Sequence, residues 1–317
     1  MSQRKRISSL SRVLIILLAA GIALSLITGP AGIRASGRIL IDLRMPRVLL
    51  AIVAGASLSV SGCVLQAVLR NPLATPYTLG ISAGAGVTAG VLILSGAVIP
   101  VFLVYLSGAA GALAAGCLTW FIAGRSRRDP SGLILAGVTV NLLGASFLLL
   151  IEYMSPASRL VEIVRWMMGD LAVAGYGRVL FLLPFFAAGI TVAFMRTGTL
   201  NQFLTGTEMA ESRGVNTLRE RFILLLAAAL LAGGTVGAVG PVGFIGLIVP
   251  HAVRRLAGGD YRRLLPLSAL GGAVLLVWSD VVSRVVVSPA ELPIGVLLSL
   301  LGGPFFLYLL LRRNERD

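Results

Sequence analysis

About ten stretches of this chain are apolar for long enough to cross a bilayer, and together they take up nearly all of its 317 residues. A spanning helix needs roughly 20 apolar residues. Lipid offers no water to satisfy a bare backbone, so such stretches must become helices packed side by side. With 57% hydrophobic residues, 13% charged ones and a mean hydropathy of +0.94, there is more apolar surface than a soluble core could hide. No long hydrophilic stretch is left over for a second domain. Residues 1–317 therefore read as a single transmembrane unit, an all-α polytopic membrane protein. The N-terminus, basic from Arg4 to Arg6 and apolar from Val13 to Thr28, partly looks like a signal peptide. It lacks an obvious small-residue cleavage site and more spans follow it, so it reads as a retained first helix.

Hydropathy and breaker residues predict helices over 11–29, 46–69, 79–99, 100–123 and 131–154, then a shorter amphipathic segment over 160–173. Further helices are expected over 177–196, 217–239, 241–257, 263–285 and 292–311. The segment from Gly240 to Pro250 is interrupted by glycine and proline. Irregular backbone at membrane depth survives only when buried in protein or lining a wet cavity. The segment therefore reads either as the border of a pathway or as a kink inside a bundle. Placing the N-terminus in the cytoplasm leaves Arg34, Arg38, Arg44, Arg47, Arg159, Arg165, Arg178 and Arg284 outside, and the other 19 of the 27 basic residues inside. That bias sets an N-in orientation, and an even number of spans returns the C-terminus to the same side.

The net charge of +14 does not point to nucleic acid, because the basic residues fall in short connectors and build no continuous face. Cys63 and Cys117 lie inside apolar helices with no second ligand nearby, which makes them packing residues rather than a metal site or a disulfide. The single histidine, His251, reads as a structural hydrogen-bonder. Lys5 is the only lysine, so the chain has no phosphate-binding loop of its own, and any ATP that drives it is bound by another subunit. No constellation of an enzyme stands out. Glu152, Asp280 and Glu291 all map near outer helix ends. An ion-coupled secondary transporter usually carries acidic groups near the midplane, so their position counts against that class.

Two connectors break the pattern. Four of the eight outside arginines lie between the first and second helices, with only Asp42 to offset them. They read either as a docking site for an acidic partner or as anchors that snorkel at the interface. The inside connector 197–217 carries Glu208, Met209, Ala210, Glu211 and Ser212, followed by Gly214 at a C-cap position. It reads either as a short helical hairpin that docks into a soluble partner or as an ordinary solvated loop.

Arg44-Met45-Pro46-Arg47, Gly62, Gln66 and Asn71-Pro72-Leu73-Ala74 together resemble the signature of the iron-chelate and cobalamin permease family. Those proteins are the membrane subunits of type II ATP-binding-cassette importers. The likeness continues through Leu79 to Ala85, Gly243 to His251, Asp260 to Pro266, Glu291 to Gly295, and Gly303 to Phe306. Six motifs in the family's order cover nearly the whole chain.

The resemblance implies ten helices per protomer and a homodimer around a central path in the cell membrane. It also implies two cytoplasmic ATPase subunits that bind the ATP, a periplasmic binding protein that delivers substrate, and no cofactor, metal or catalytic residue in this chain. Arg44, Arg47 and Arg284 match arginines that pair with glutamates of the binding protein. Asn71, Pro72 and Leu73 match the turn that narrows the cytoplasmic end of the path. Ser131 falls near a second gate turn, where Pro130 departs from the polar residue the family pattern leads one to expect. Glu208, Met209, Ala210, Glu211, Ser212, Arg213 and Gly214 match the coupling helices, at about 199–216, that sit in a cleft of the ATPase. Family members often read Trp-x-x-Gly-Ser-Leu where this chain has Trp166 to Leu171, with Asp170 replacing the serine. Trp166 and Asp170 would lie at the outer vestibule, where Asp170 either tunes substrate or docking, or pairs with Arg165 or Arg178. The implied cargo is a ferric siderophore, with cobalamin, haem or molybdate as alternatives inside the family. Small, weakly polar residues such as Ser57, Ser61, Ser82 and Thr139 are expected to line the path. A self-sufficient secondary transporter or a structural scaffold would instead work without an ATPase.

Overall fold

The computed structural model describes residues 3–28, 37–97, 99–124, 130–287 and 290–314. Arg34, Arg125, Arg127, Arg128 and Arg316, which enter the charge count above, lie outside the described residues, as does Asp129. The described chain is helical and contains no strand. Its helices are α1 (Gln3–Ile27), α2 (Gly37–Val68), α3 (Ile81–Leu94), α4 (Val101–Ala123), α5 (Pro130–Met154), α6 (Ala157–Met167) and α7 (Gly177–Met195). They continue with α8 (Thr197–Phe203), α9 (Thr207–Ser212), α10 (Thr217–Val239), α11 (Ile245–Ala257), α12 (Tyr261–Val285) and α13 (Ile294–Asn314). Among the described residues 7 helices, α1, α2, α4, α5, α7, α10 and α12, are long and apolar enough to cross a membrane.

Three of the expected spans differ in form. The run at 79–99 is shorter at both ends: Pro76–Leu79 winds as a 3-10 turn and Gly80 takes φ +75° before α3 begins, and the helix stops at Leu94, two residues before Gly96 at φ +68°. The segment at 241–257 enters as non-helical backbone from Gly240 and becomes helical only at Ile245. The span predicted from residue 46 starts instead at Gly37, with Leu40–Arg44 wound as a π turn. The amphipathic segment is Ala157–Met167, closed by Gly169 at φ +74°.

Burial separates an inner set of helices from an outer one. The apolar windows of α2, α10 and α12 are 83%, 78% and 67% buried, against 28% or less for α1, α4, α5 and α7. The inner helices approach through small residues. A Cβ built on Gly55 would overlap the Gly272 carbonyl oxygen, and one on Gly62 would overlap that of Gly246. Backbone therefore meets backbone where α2 crosses α12 and α11, which only glycine permits. The outer helices turn large apolar side chains away from the bundle, as Leu135, Leu142, Leu149 and Tyr153 do on α5. This matches a bundle solvated by lipid.

The serines expected along a path are used in packing. Ser57 and Ser61 are fully buried, and the Ser61 hydroxyl donates to the Ala228 carbonyl of α10 at 2.7 Å. Ser82 is buried as well. Of the four residues expected to line a path, Thr139 alone is exposed, and its hydroxyl donates back to Leu135 O at 2.9 Å.

Candidate functional site

Helix α2 connects two polar ends. The first gathers Arg44, Arg47, Asp280, Arg284 and Glu291; the second gathers the 69–76 turn with α8 and α9.

At the first end a single buried carboxylate holds two guanidiniums. Asp280, 1% exposed, lies 2.8 Å from Arg47 Nε through one oxygen and 2.8 Å from Arg284 Nη2 through the other. Arg284 sits one turn further along α12, so the second pair follows from helical spacing. Arg47 makes a further ion pair, Nη2 to Glu291 Oε2 at 2.8 Å, and Glu291 is a third exposed. The other two arginines close the open end of α1. Arg44 donates to Leu26 O and to Ile27 O (3.1 Å), and Arg284 donates to Ser25 O (3.2 Å), Thr28 O (3.1 Å) and the Ser25 hydroxyl. These are carbonyls that a helix C-terminus leaves without intrahelical partners, and cations are favoured beside them. Arg44 and Arg284 are thus buried within the chain, and Arg47 is the most accessible of the three.

A cavity of about 620 Å³ opens beside this cluster, bordered by Arg47, Trp166, Asp170, Arg178 and Glu291. Of the two possible partners, Asp170 takes Arg178: the side chains stand 3.7 Å apart and Arg178 Nη1 also donates to the Asp170 carbonyl at 3.1 Å. Arg178 is fixed in turn by Tyr105, whose hydroxyl accepts from Nε at 2.8 Å and whose ring lies under the guanidinium. The Asp170 side chain is about half exposed, so the ion pair itself stabilises little. Trp166 is seated against Gly108 of α4, and its carbonyl presses on Gly240, where φ is +73°.

At the second end, Asn71 forms an Asx turn: its Oδ1 accepts from Leu73 N at 2.9 Å and its carbonyl from Ala74 N at 3.1 Å. The turn is entered through Arg70 at φ +47°, an uncommon conformation for a side chain of that size. Pro72 and Leu73 face outward. Ser131 is exposed at the start of α5, and among the described residues no hydrogen bond joins it to Asn71, Pro72 or Leu73.

The hairpin anticipated at 199–216 consists of α8 and α9, and Gly214 at φ +82° follows the second. Ala210 is its buried foot, while Glu208, Met209, Glu211, Ser212, Arg213 and Gly214 are exposed. Arg221 of α10 secures it by donating to the Thr207 hydroxyl at 2.7 Å and lying over the Phe203 ring. A cavity of about 720 Å³ has Arg70 on one wall and Glu208, Met209 and Ser212 on the other, so the turn and the hairpin share a space.

Sequence reading places Asn201 in the hairpin and Asp260 and Tyr261 in a family motif, but gives none of them, nor Arg254, a role of its own. Asn201 Nδ2 donates to Asp260 Oδ1 at 2.8 Å, and Asn201 Oδ1 accepts from Tyr261 N at 2.9 Å. The Asn201 amide, and after it the Arg262 N–H, hold the Asp260 carboxyl below its ordinary range. These partners lie about 60 residues apart in the chain, and neither periodicity nor spacing could pair them.

The profile of the FecCD transport family matches residues 10–312. The hemin transport system permease protein HmuU of Yersinia pestis is 39% identical over 280 residues, which is 87% of this chain and 84% of that protein. The Fe(3+)-citrate import system permease protein YfmD of Bacillus subtilis is 37% identical over 273 residues, 86% of this chain and 80% of that one. Among solved structures, a chain from an ABC transporter assigned to the metal-chelate type, in an inward-facing conformation, superposes with a TM-score of 0.87. It shares 28% sequence identity, and the match covers 94% of this chain and 97% of the other.

Proposed function

Because this chain belongs to the FecCD transport family, we propose that it is the permease subunit through which an ATP-driven importer moves a ferric siderophore across the cell membrane. The chain is a multi-pass membrane permease of an ABC importer of the metal-chelate, haem and cobalamin type. In this family the ATP is bound by a partner ATPase. On this proposal each protomer has ten spans and both termini in the cytoplasm, and two protomers form a homodimer around the path. The arginine end faces the binding protein, with Trp166 and Asp170 at its vestibule. Asn71, Pro72, Leu73 and Ser131 narrow the exit, and the Glu208 to Gly214 stretch meets the ATPase.

The observation that carries this reading is the arrangement of α2, which has an arginine–carboxylate cluster at its start and the Asx turn, beside an exposed hairpin, at its end. A substrate passing along such a helix would meet a charged docking face first and a polar constriction last. A ferric siderophore is supported by relatives named for Fe(3+)-citrate and iron(3+)-hydroxamate import, and relatives of similar identity named for hemin and vitamin B12 make those cargoes the competitors in the test. The test is uptake by liposomes holding the chain with its ATPase and binding protein. Ferric siderophore should enter only with ATP and binding protein present, ahead of cobalamin, haem and molybdate. Uptake by the chain alone on an ion gradient would overturn the reading.

Docking is tested at Arg47 rather than at its two neighbours. Arg44 and Arg284 are buried against α1, so a carboxylate there would disturb folding. Both terminal nitrogens of Arg47 meet the partly exposed Glu291. Arg47→Gln, which sets no new carboxylate beside Asp280, should weaken binding-protein association about tenfold at low salt and less at high salt, whereas Glu291→Gln, which loosens the pair, should strengthen it. Equal affinities for all three proteins in a sedimentation or light-scattering titration would remove Arg47 from the interface.

A further inference from the structure

A line of directional hydrogen bonds crosses the bundle from α8 to the last turn of α2. Asn201 on α8 clasps the start of α12 through Asp260 Oδ1 (2.8 Å) and Tyr261 N–H (2.9 Å). The Tyr261 side chain is fully buried, and its hydroxyl accepts from Arg254 Nη2 of α11 at 3.0 Å. The same Nη2 reaches Gln66 Oε1 at 3.5 Å, and Gln66 Nε2 donates to the Gly246 carbonyl at 3.1 Å. Gln66 lies in the final turn of α2, just before the Asn71 turn.

Arg254 is the unusual member. Among the described residues no carboxylate lies within 4 Å of its guanidinium, and its Nε is buried without a hydrogen-bond partner. Arg254 as a whole is half-buried, but its Nε is enclosed, and an apolar side chain would fill that space without desolvating a polar atom. What a guanidinium adds is fixed geometry towards two other helices at once. Helices α2 and α11 already meet backbone to backbone at Gly62 and Gly246, so they move together. The Asn201 clasp and Arg254 then join α8 to that pair.

We infer that Asn201, Tyr261 and Arg254 are positioning residues that carry a displacement of the α8–α9 hairpin to the Asn71 turn. This rests on the reading that the hairpin meets an ATPase. Apolar contacts would let the helices slide, whereas hydrogen bonds of fixed direction do not.

The test uses the full complex in liposomes, with Tyr261→Phe, Arg254→Met and Asn201→Ala compared with the unaltered chain. Two quantities are read: substrate taken up per ATP hydrolysed, and the effect of ATP on maleimide labelling of Leu73→Cys in a Cys117→Ala background. The expected result is ATP hydrolysis within twofold of the unaltered complex, at least a tenfold loss of uptake per ATP, and labelling that no longer responds to ATP. Tyr261→Phe keeps the ring and its packing, so it reports on the hydroxyl even if the other two variants fold poorly. An unchanged ratio in Tyr261→Phe, or a parallel fall of uptake and hydrolysis with a lowered melting temperature, overturns the relay. If the unaltered complex itself shows no ATP-driven uptake, the importer reading fails first and the relay with it.

Discussion

Asp280→Leu should lower the melting temperature of the detergent-solubilised protein by roughly 10 °C, or prevent a monodisperse preparation altogether. The carboxylate is 1% exposed and stands between Arg47 and Arg284, each 2.8 Å away. Removing it leaves two like charges facing each other at a buried site, with only Glu291 on the far side of Arg47. Breaking a buried ion pair by deleting one partner costs about 3–5 kcal/mol, most of it from the charge left behind. The discriminating control follows from the same reasoning. Asp280→Leu combined with Arg284→Met removes one stranded charge along with the carboxylate, so it should recover part of the loss even though it deletes more hydrogen bonds. A double variant that melts below the single one would show that the Arg284 bonds to Ser25 and Thr28 outweigh the ion pairs.

The same cluster shows where sequence reasoning stops. Apolar length is a local property, so the long helices were legible, as was a short helix ended by Gly214. The second span is expected to begin at Pro46, a residue suited to a helix's first turn. The helix nevertheless continues back to Gly37, because the wider π turn at Leu40–Arg44 precedes the ring where a regular turn would meet it. The misplaced outer charge was also legible, but its partners were not: Arg47 and Asp280 are separated by 233 positions. The serines misled for a related reason. A wet path and a close helix crossing both select small residues, and hydropathy cannot tell Ser61, bonded to Ala228 of α10, from a residue facing substrate.

The spacing of Gly62 and Gln66 carries the other large effect. Four residues apart on α2, they share a face, and both touch Gly246 of α11. A Cβ at position 62 would overlap the Gly246 carbonyl oxygen, the same atom that accepts from Gln66. Neither side of that contact is a side chain that could rotate away, so Gly62→Ala must push α2 and α11 apart. Overpacking of this kind typically costs about 1–3 kcal/mol, and with backbone on both sides the upper end is expected. Gly198→Ala is the matched control. It lies within α8 with nothing within 4 Å of its would-be Cβ, and it should be neutral or slightly stabilising. Thermal melting of the two variants separates packing from helix propensity. Separation of α2 from α11 also lengthens the Gln66 contacts to Gly246 and Arg254, so any folded Gly62→Ala protein should take up less substrate per ATP. If Gly62→Ala matches Gly198→Ala in melting and the unaltered chain in transport, the backbone contact at Gly246 does not constrain the helix pair, and Gln66 would have to hold its place without it.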